Sequence, residues 1–322
     1  MKLLMTYILF LVLPSVATAQ TIKVLSPGQG SDSSYYHLTK ISDNEYWTGG
    51  KQGVLKKIDT LGNISSIQFD NKGERILKIE KIGHYVFLAT SDATIYRYDL
   101  KSKTFYSKYF PEFKDKCFYD LIALDNGKLV VCGGNKAIVQ SQKRFPKGII
   151  AVVDQELSEM KLVWKSYRKF VWSLVQMDNG DVLTAVFNGH NSKILKSTNL
   201  KDWKRYTKVR GLVYELALLD GKLCYAGARN FNINQNGILG EEGKKQVILK
   251  KKGFQWALNS LDGHMMTVSS HGSIFLTKDN EAVVSEVKMP SGHALYDIEE
   301  ISPRKYLIVG KGQAMYLVDF NE

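Results

Sequence analysis

The chain has 322 residues, 44% hydrophobic and 24% charged, with 44 Lys and Arg against 32 Asp and Glu for a formal charge of +12. That excess is carried by lysines scattered along the chain, with only eight arginines and no recognition module, which argues against a nucleic-acid binder. Three cysteines, Cys117, Cys132 and Cys224, leave at least one thiol unpaired in an exported chain.

The first segment is expected to be removed rather than folded. Met1-Lys2 precedes an apolar run from Leu3 to Leu13, and Ala17-Thr18-Ala19 supplies a small-x-small cleavage site. Residues 1–19 read as a secretory signal peptide, too short for a convincing membrane span, with Gln20 as the new N-terminus. The expectation is a secreted or periplasmic protein whose residues 20–322 form one domain.

Next comes a pattern that recurs seven times: an aromatic, any residue, an aliphatic, two more residues, an aliphatic, then a turn. Tyr36-His37-Leu38 leads to Ile41 and Ser42-Asp43-Asn44; Tyr119-Asp120-Leu121 leads to Leu124 and Asp125-Asn126-Gly127. The anchors Tyr36, Leu77, Tyr119, Trp172, Tyr214, Trp256 and Tyr296 are 41, 42, 53, 42, 42 and 40 residues apart. A period near forty with several short strands per unit specifies an all-β, seven-bladed β-propeller of four-stranded antiparallel blades. Such a ring overrides the two-domain expectation of length alone, and no Pro-rich linker interrupts it.

Within a repeat, an alternating first strand is followed by Asn-Gly or Asp-Gly, as at 125–127, 178–180, 220–221 and 262–263. This chemistry favours mirror-image hairpin turns. Third strands follow, such as Ile95-Tyr96-Arg97-Tyr98 and Ile274-Phe275-Leu276, and then polar outer strands whose lysines protect edges. The last repeat runs out at Met315-Tyr316-Leu317-Val318-Asp319, its third strand. Thr21-Ile22-Lys23-Val24-Leu25 alternates correctly and is otherwise unassigned, so it is expected to complete the seventh blade. Cys132 and Cys224 fall in second strands, where small buried residues belong. A Cys117–Cys132 bridge is conceivable, and three buried thiols are the preferred reading.

In the fourth repeat, Ser197-Thr198-Asn199-Leu200-Lys201-Asp202-Trp203 resembles the Asp-box, or BNR repeat, of sialidase-like propellers and of photosystem II assembly-factor propellers. Asn199 stands where that box has Asp, and its Gly is absent. The resemblance implies a structural turn between third and fourth strands, with Ser197, Asn199 and Trp203 as scaffold. It would also imply a sialidase-like arginine cluster, a Tyr–Glu pair and an acid/base residue. Arg75, Arg144, Arg168 and Arg229 stand in no matching motif.

Candidate chemistry falls on one rim. The third repeat inserts residues 134–148, the fourth offers Asn188-Gly189-His190-Asn191, and the fifth extends over 229–236. The binding candidates are Lys136, Arg144, Asn188, His190, Arg229, Asn232 and Asn234, amides and bases suited to a glycan or a peptide with acidic groups. The recurring aromatics serve either inter-blade packing, the preferred reading, or a stacking ring at the channel mouth. Asp120, Glu215 and Asp297 are channel-mouth acids that a hydrolase would use. Against a Tyr214–Glu215 pair stands strand alternation, which sends neighbours to opposite faces. His190, His271 and His293 lack metal-ligand spacing, so neither a metal nor a cofactor is expected.

The reading is a monomeric exported propeller that binds a glycan or protein partner through loops of blades three to five, without spanning a membrane. A glycan-processing hydrolase and a structural subunit of an envelope assembly are the alternatives.

Overall fold

A computed structural model describes residues 21–28, 33–135, 147–229, 236–277 and 283–320. These form seven four-stranded antiparallel sheets, each built from consecutive strands except one. The first strands, nearest the axis, are Tyr35–Ser42, Ile76–Ile82, Lys116–Ala123, Phe170–Gln176, Leu212–Leu219, Gln255–Leu261 and Leu295–Ser302. The molecule is a seven-bladed β-propeller, as the repeat spacing specifies.

The exceptional sheet is the seventh. Its outer strand is Thr21–Ser26, which pairs antiparallel with Met315–Asp319, placing Ile22 opposite Val318 and Val24 opposite Tyr316. The first and last described segments thus share one blade, as the unassigned alternating run predicts. Residues 1–20 lie outside the described chain, and with them the expected signal peptide.

Second strands are buried on both faces because each blade is sandwiched between two neighbours. Tyr85–Thr90 and Lys305–Gly310 carry the same burial pattern, buried at every residue after the first. Each interface has its own apolar cluster. Trp47, Leu55, Ile79 and Leu88 join blades one and two; Phe87, Ile95, Phe118 and Val131 join blades two and three; Tyr35, Leu38, Leu307 and Leu317 join blades seven and one. Outer strands such as Thr104–Tyr109 are largely exposed, as their lysine content requires. All three cysteines are buried and none is in a disulfide, so the Cys117–Cys132 bridge does not form.

The hairpin turns split into two types. Leu219 pairs with Lys222 across Asp220-Gly221, and both central residues have positive φ (52° and 72°), the mirror-image turn expected of Asp-Gly. Asp125-Asn126-Gly127 behaves differently: only Gly127 has positive φ, and its N–H donates to the Leu124 carbonyl. Residues 178–180 repeat this arrangement. The third loop residue turns an Asn-Gly hairpin into a three-residue loop, with glycine in the left-handed position.

A turn joins Asn191–Ser197 to Lys204–Arg210, third and fourth strands of blade four, at the position where the Asp-box resemblance puts it. Asn199 Oδ1 accepts the Lys201 and Asp202 N–H groups (both 2.9 Å), and Trp203 Nε1 donates to the Leu200 carbonyl (3.1 Å). Asn199 therefore closes the turn itself with its amide oxygen.

Candidate functional site at the channel mouth

Every innermost strand carries the same irregularity near its start. Tyr35 pairs with Gly50 and His37 with Gly49, which leaves Tyr36 without an opposite number. The register slips likewise at Leu77, Tyr119, Tyr214, Trp256 and Tyr296, and across Trp172-Ser173 in blade four. A bulge breaks strand alternation, so two consecutive side chains reach the same side. Here both reach the channel: Tyr36 and His37, Tyr119 and Asp120, Tyr214 and Glu215, Tyr296 and Asp297 line one cavity of about 360 Å³. The alternation argument against Tyr214 and Glu215 acting together therefore fails at this position.

Local chemistry supports the bulge. The residue before the bulged one faces a second-strand glycine in four blades: Gly50, Gly133, Gly227 and Gly310. A Cβ on Gly133 would lie 2.0 Å from the Cys117 carbonyl oxygen, and one on Gly50 would lie 1.8 Å from that of Ser34. These glycines permit close approach of two backbones. In blades one, four and six a second-strand threonine (Thr48, Thr184, Thr267) donates its hydroxyl to the carbonyl of the residue that follows the aromatic, at 2.8 to 2.9 Å.

The bulged aromatics form an arc. Ring centroids follow one another at 4.6 Å (Tyr119–Trp172), 5.4 Å (Trp172–Tyr214), 4.4 Å (Tyr214–Trp256), 5.6 Å (Trp256–Tyr296) and 5.5 Å (Tyr296–Tyr36). Leu77 and Arg75 occupy the remaining gap, in blade two. All six aromatics are partly buried, neither core nor surface. They pack ring to ring and also wall the cavity, so the choice between packing and channel mouth resolves into both. The indole N–H groups of Trp172 and Trp256 have no hydrogen-bond partner among the described residues.

Beneath the arc lies a belt of polar side chains, several of which interlock the blades. The Leu38 N–H of blade one donates to Asp297 Oδ2 of blade seven (2.6 Å), and the Leu174 N–H of blade four to Asp120 Oδ2 of blade three (2.7 Å). The Leu216 N–H donates to Ser173 Oγ (3.0 Å), and the Ile79 N–H to His37 Nδ1 (3.4 Å). In blades one, two, four and five the N–H two residues past the bulged position is thus accepted by the preceding blade's belt residue. Asp120 also pairs with Lys78 (3.2 Å), and His37 Nε2 lies 3.7 Å from Asp297 Oδ2. Glu215 alone among the three belt acids has neither a hydrogen bond nor an ion pair within 4 Å among the described residues.

A second cavity of about 370 Å³ continues the channel, sharing His37, Lys78, Glu215 and Asp297 and adding Glu80 and Glu299, with Lys40 and Lys81 at its far end. Together the two cavities are lined by five carboxyls and by four lysine and arginine side chains, and of these bases Lys78 alone lines both cavities. Burial pushes the Glu215 carboxyl up to about 8, with Lys78 opposing and Asp120 and Asp297 adding to the rise. Burial likewise lifts Glu80 and Glu299 to about 7 and Asp297 to about 6. For Lys78, burial disfavours the charge, but Asp120, Glu215, Glu80 and Asp297 outweigh it and keep the amine cationic. His37 is pushed well below its ordinary value by burial and by Lys78, and so is neutral.

The loop candidates fare unevenly. Lys136, Arg144, Asn232 and Asn234 lie outside the described residues. Asn188 and His190 are exposed, and Asn188 Oδ1 accepts the N–H groups of His190 (3.3 Å) and Asn191 (3.1 Å), closing its own turn. Arg229 is partly buried, and its N–H donates to the Asn236 carbonyl across the base of the blade-five loop. Register places the described ends of these loops, such as Asn135 and Ala228, on the cavity's side of the ring, because each second strand ends beside the start of its first strand. Sequence reasoning did not assign Glu80 and Glu299 to the channel; their offset, three residues on from each anchor, carries that signal. No grouping of three or more metal-ligating side chains occurs among the described residues. Nor is any described helix long and apolar enough to cross a membrane.

No described protein family and no curated protein matches this sequence. Solved structures do match its fold. Virginiamycin B lyase from Staphylococcus aureus is similar with a TM-score of 0.72 at 11% identity, covering 94% of this chain and 99% of that one. YCF48 bound to D1 peptide is similar at 0.64 and 11% identity, over 92% and 94% of the two chains. The WD40 propeller domain of Doa1 is similar at 0.66 and 12% identity, over 94% and 98%. At such identities the likeness concerns the fold.

Proposed function

We propose that this protein is an exported binding protein that grips a partner's peptide segment at the aromatic mouth of its channel, with the loops of blades three to five as the rim. The observation that carries this reading is the arc of six partly buried aromatic rings around a cavity of about 360 Å³, the size and lining of a small-ligand or side-chain pocket. Rigid aromatics supply contact area at low entropic cost. YCF48 bound to D1 peptide, a propeller of the same fold, adds support for a peptide over a glycan.

The hydrolase alternative is weaker because its acids are occupied. Asp120 and Asp297 hold backbone N–H groups of neighbouring blades, which leaves Glu215 as the one unengaged acid of the three at the mouth. For an envelope subunit, the large apolar side chains that are exposed (among them Leu61, Tyr106, Tyr167 and Ile248) are spread over several blades instead of forming one patch.

The test is a pair of arrays, peptides and glycans, probed with residues 20–322 and with the Trp172→Ala and Trp256→Ala variants. Peptides retained by the parent and lost by both folded variants are the expected result. Glycan products released into solution, or retention indifferent to both tryptophans, would overturn the reading.

A further inference from the structure

Resting on the reading that the mouth is a binding site, we infer that its occupant presents an organic cation, an alkylammonium or guanidinium group, with Glu215 as counter-ion and the rings of Trp172, Tyr214, Trp256 and Tyr296 as walls. Three independent features point to this chemistry. Aromatic faces attract a cation through the ring quadrupole at distances up to about 6 Å. The successive ring centroids of this arc stand 4.4 to 5.6 Å apart and all four rings line the cavity, so they form one continuous aromatic side of it. Glu215 lines the cavity beneath those rings.

Charge balance is the second feature. The chain as a whole is strongly basic, at +12, yet its two channel cavities are lined by five carboxyls (Asp120, Glu215, Asp297, Glu80 and Glu299) against four bases, Lys78, Arg75, Lys40 and Lys81, the last two of them exposed. Lys78 is already paired with Asp120. His37 is neutral and lies beside Asp297. The nearest other cations are Arg75 at the mouth, across the gap in blade two, and Lys40 and Lys81 at the far end. Lys78 acts on Glu215 as well as on Asp120, Glu80 and Asp297, so one cation is shared among four carboxyls, and a guest can bring Glu215 a positive charge of its own.

Availability is the third. Asp120 and Asp297 each accept two backbone N–H groups. Glu215 accepts none among the described residues, so its oxygens are free for a charge-assisted hydrogen bond. A metal ion fits less well, since no grouping of ligating side chains for one occurs among the described residues. An arriving cation favours the ionised carboxylate, so binding expels a proton, and affinity rises as pH climbs through about 8, the value to which burial lifts Glu215.

The experiment is a tryptophan-fluorescence and calorimetric titration of residues 20–322 with n-butylammonium, butylguanidinium, n-butanol and butyrate, plus a blocked Gly-Lys-Gly peptide. The two cations should bind and perturb Trp172 and Trp256, the alcohol and carboxylate should not, and cation affinity should be several-fold higher at pH 8 than at pH 6. Glu215→Gln should lower cation affinity at least about tenfold without lowering the melting temperature. Tighter binding of the lysine peptide than of butylammonium identifies a protein partner, and equal binding identifies a free amine; both support the cation. Butyrate or butanol binding as well as the amine, or an unchanged Glu215→Gln affinity, overturns it. If cations fail while tryptophan-dependent neutral peptides still bind on the array, the peptide reading stands and only this inference falls.

Discussion

Asp297 and Glu215 occupy equivalent positions in their repeats, yet they do different work. Asp297 satisfies Leu38 N–H across the blade seven–one junction, whereas Glu215 makes no such bond. Asp297→Ala leaves that amide without its acceptor and should cost about 1–3 kcal/mol, checked by chemical denaturation. Glu215 predicts the reverse. Its folded pKa is raised above the ordinary 4.5 to about 8, so both states are neutral below 4.5 and only the unfolded state ionises between the two values. The stability it contributes is present below about 4.5 and is lost as pH rises to about 8. The stability of Glu215→Gln relative to the parent should therefore increase between pH 5 and pH 8, and denaturation series at both values will show it. The tryptophans divide in the same way. Trp47 is fully buried between blades one and two, and Trp47→Ala should cost about 3–5 kcal/mol. Trp172→Ala and Trp256→Ala remove partly buried rings from the mouth, so they should cost clearly less in the same thermal melts while abolishing peptide capture.

At the scale of the strand, the seven anchors were legible because inter-blade packing demands an aliphatic at fixed offsets from the turn. The position of the aromatics was not legible, because strand alternation is the rule by which a sequence is read and a bulge suspends it. Tyr214 and Glu215 look like opposite-facing neighbours until the register from Val213 to Glu215 is known. The signal lay in the partner strand, in the glycines at 50, 133, 227 and 310, each facing the residue ahead of the bulge. Gly133→Ala should force that contact apart, costing about 1–3 kcal/mol or more in a denaturant melt. The Asn-Gly turns were misassigned for a smaller reason: one extra loop residue changes the turn class, and the dipeptide does not announce its loop length. The loops of blades three to five were identified from length and from their amides and bases, and neither says which side chains converge. Shortening 136–146 should leave the melting temperature unchanged, since Asn135 and Lys147 at its ends are already held by strand pairing.

For the whole ring, the decisive contact is the one between Thr21–Ser26 and Met315–Asp319. Removing residues 20–26 exposes an unpaired third strand in blade seven and should lower the melting temperature of the entire molecule rather than fray one edge. The same contact imposes an order of events on the newborn chain. Six blades can assemble from neighbours as each leaves the ribosome, but the clasp joins the earliest-made strand to one of the latest. Until synthesis reaches Asp319, Thr21–Ser26 has no seat and remains a tether. Any escort or protease that meets the chain before Asp319 is made therefore meets the ring open, and the channel with its aromatic mouth closes only when the seventh blade is complete.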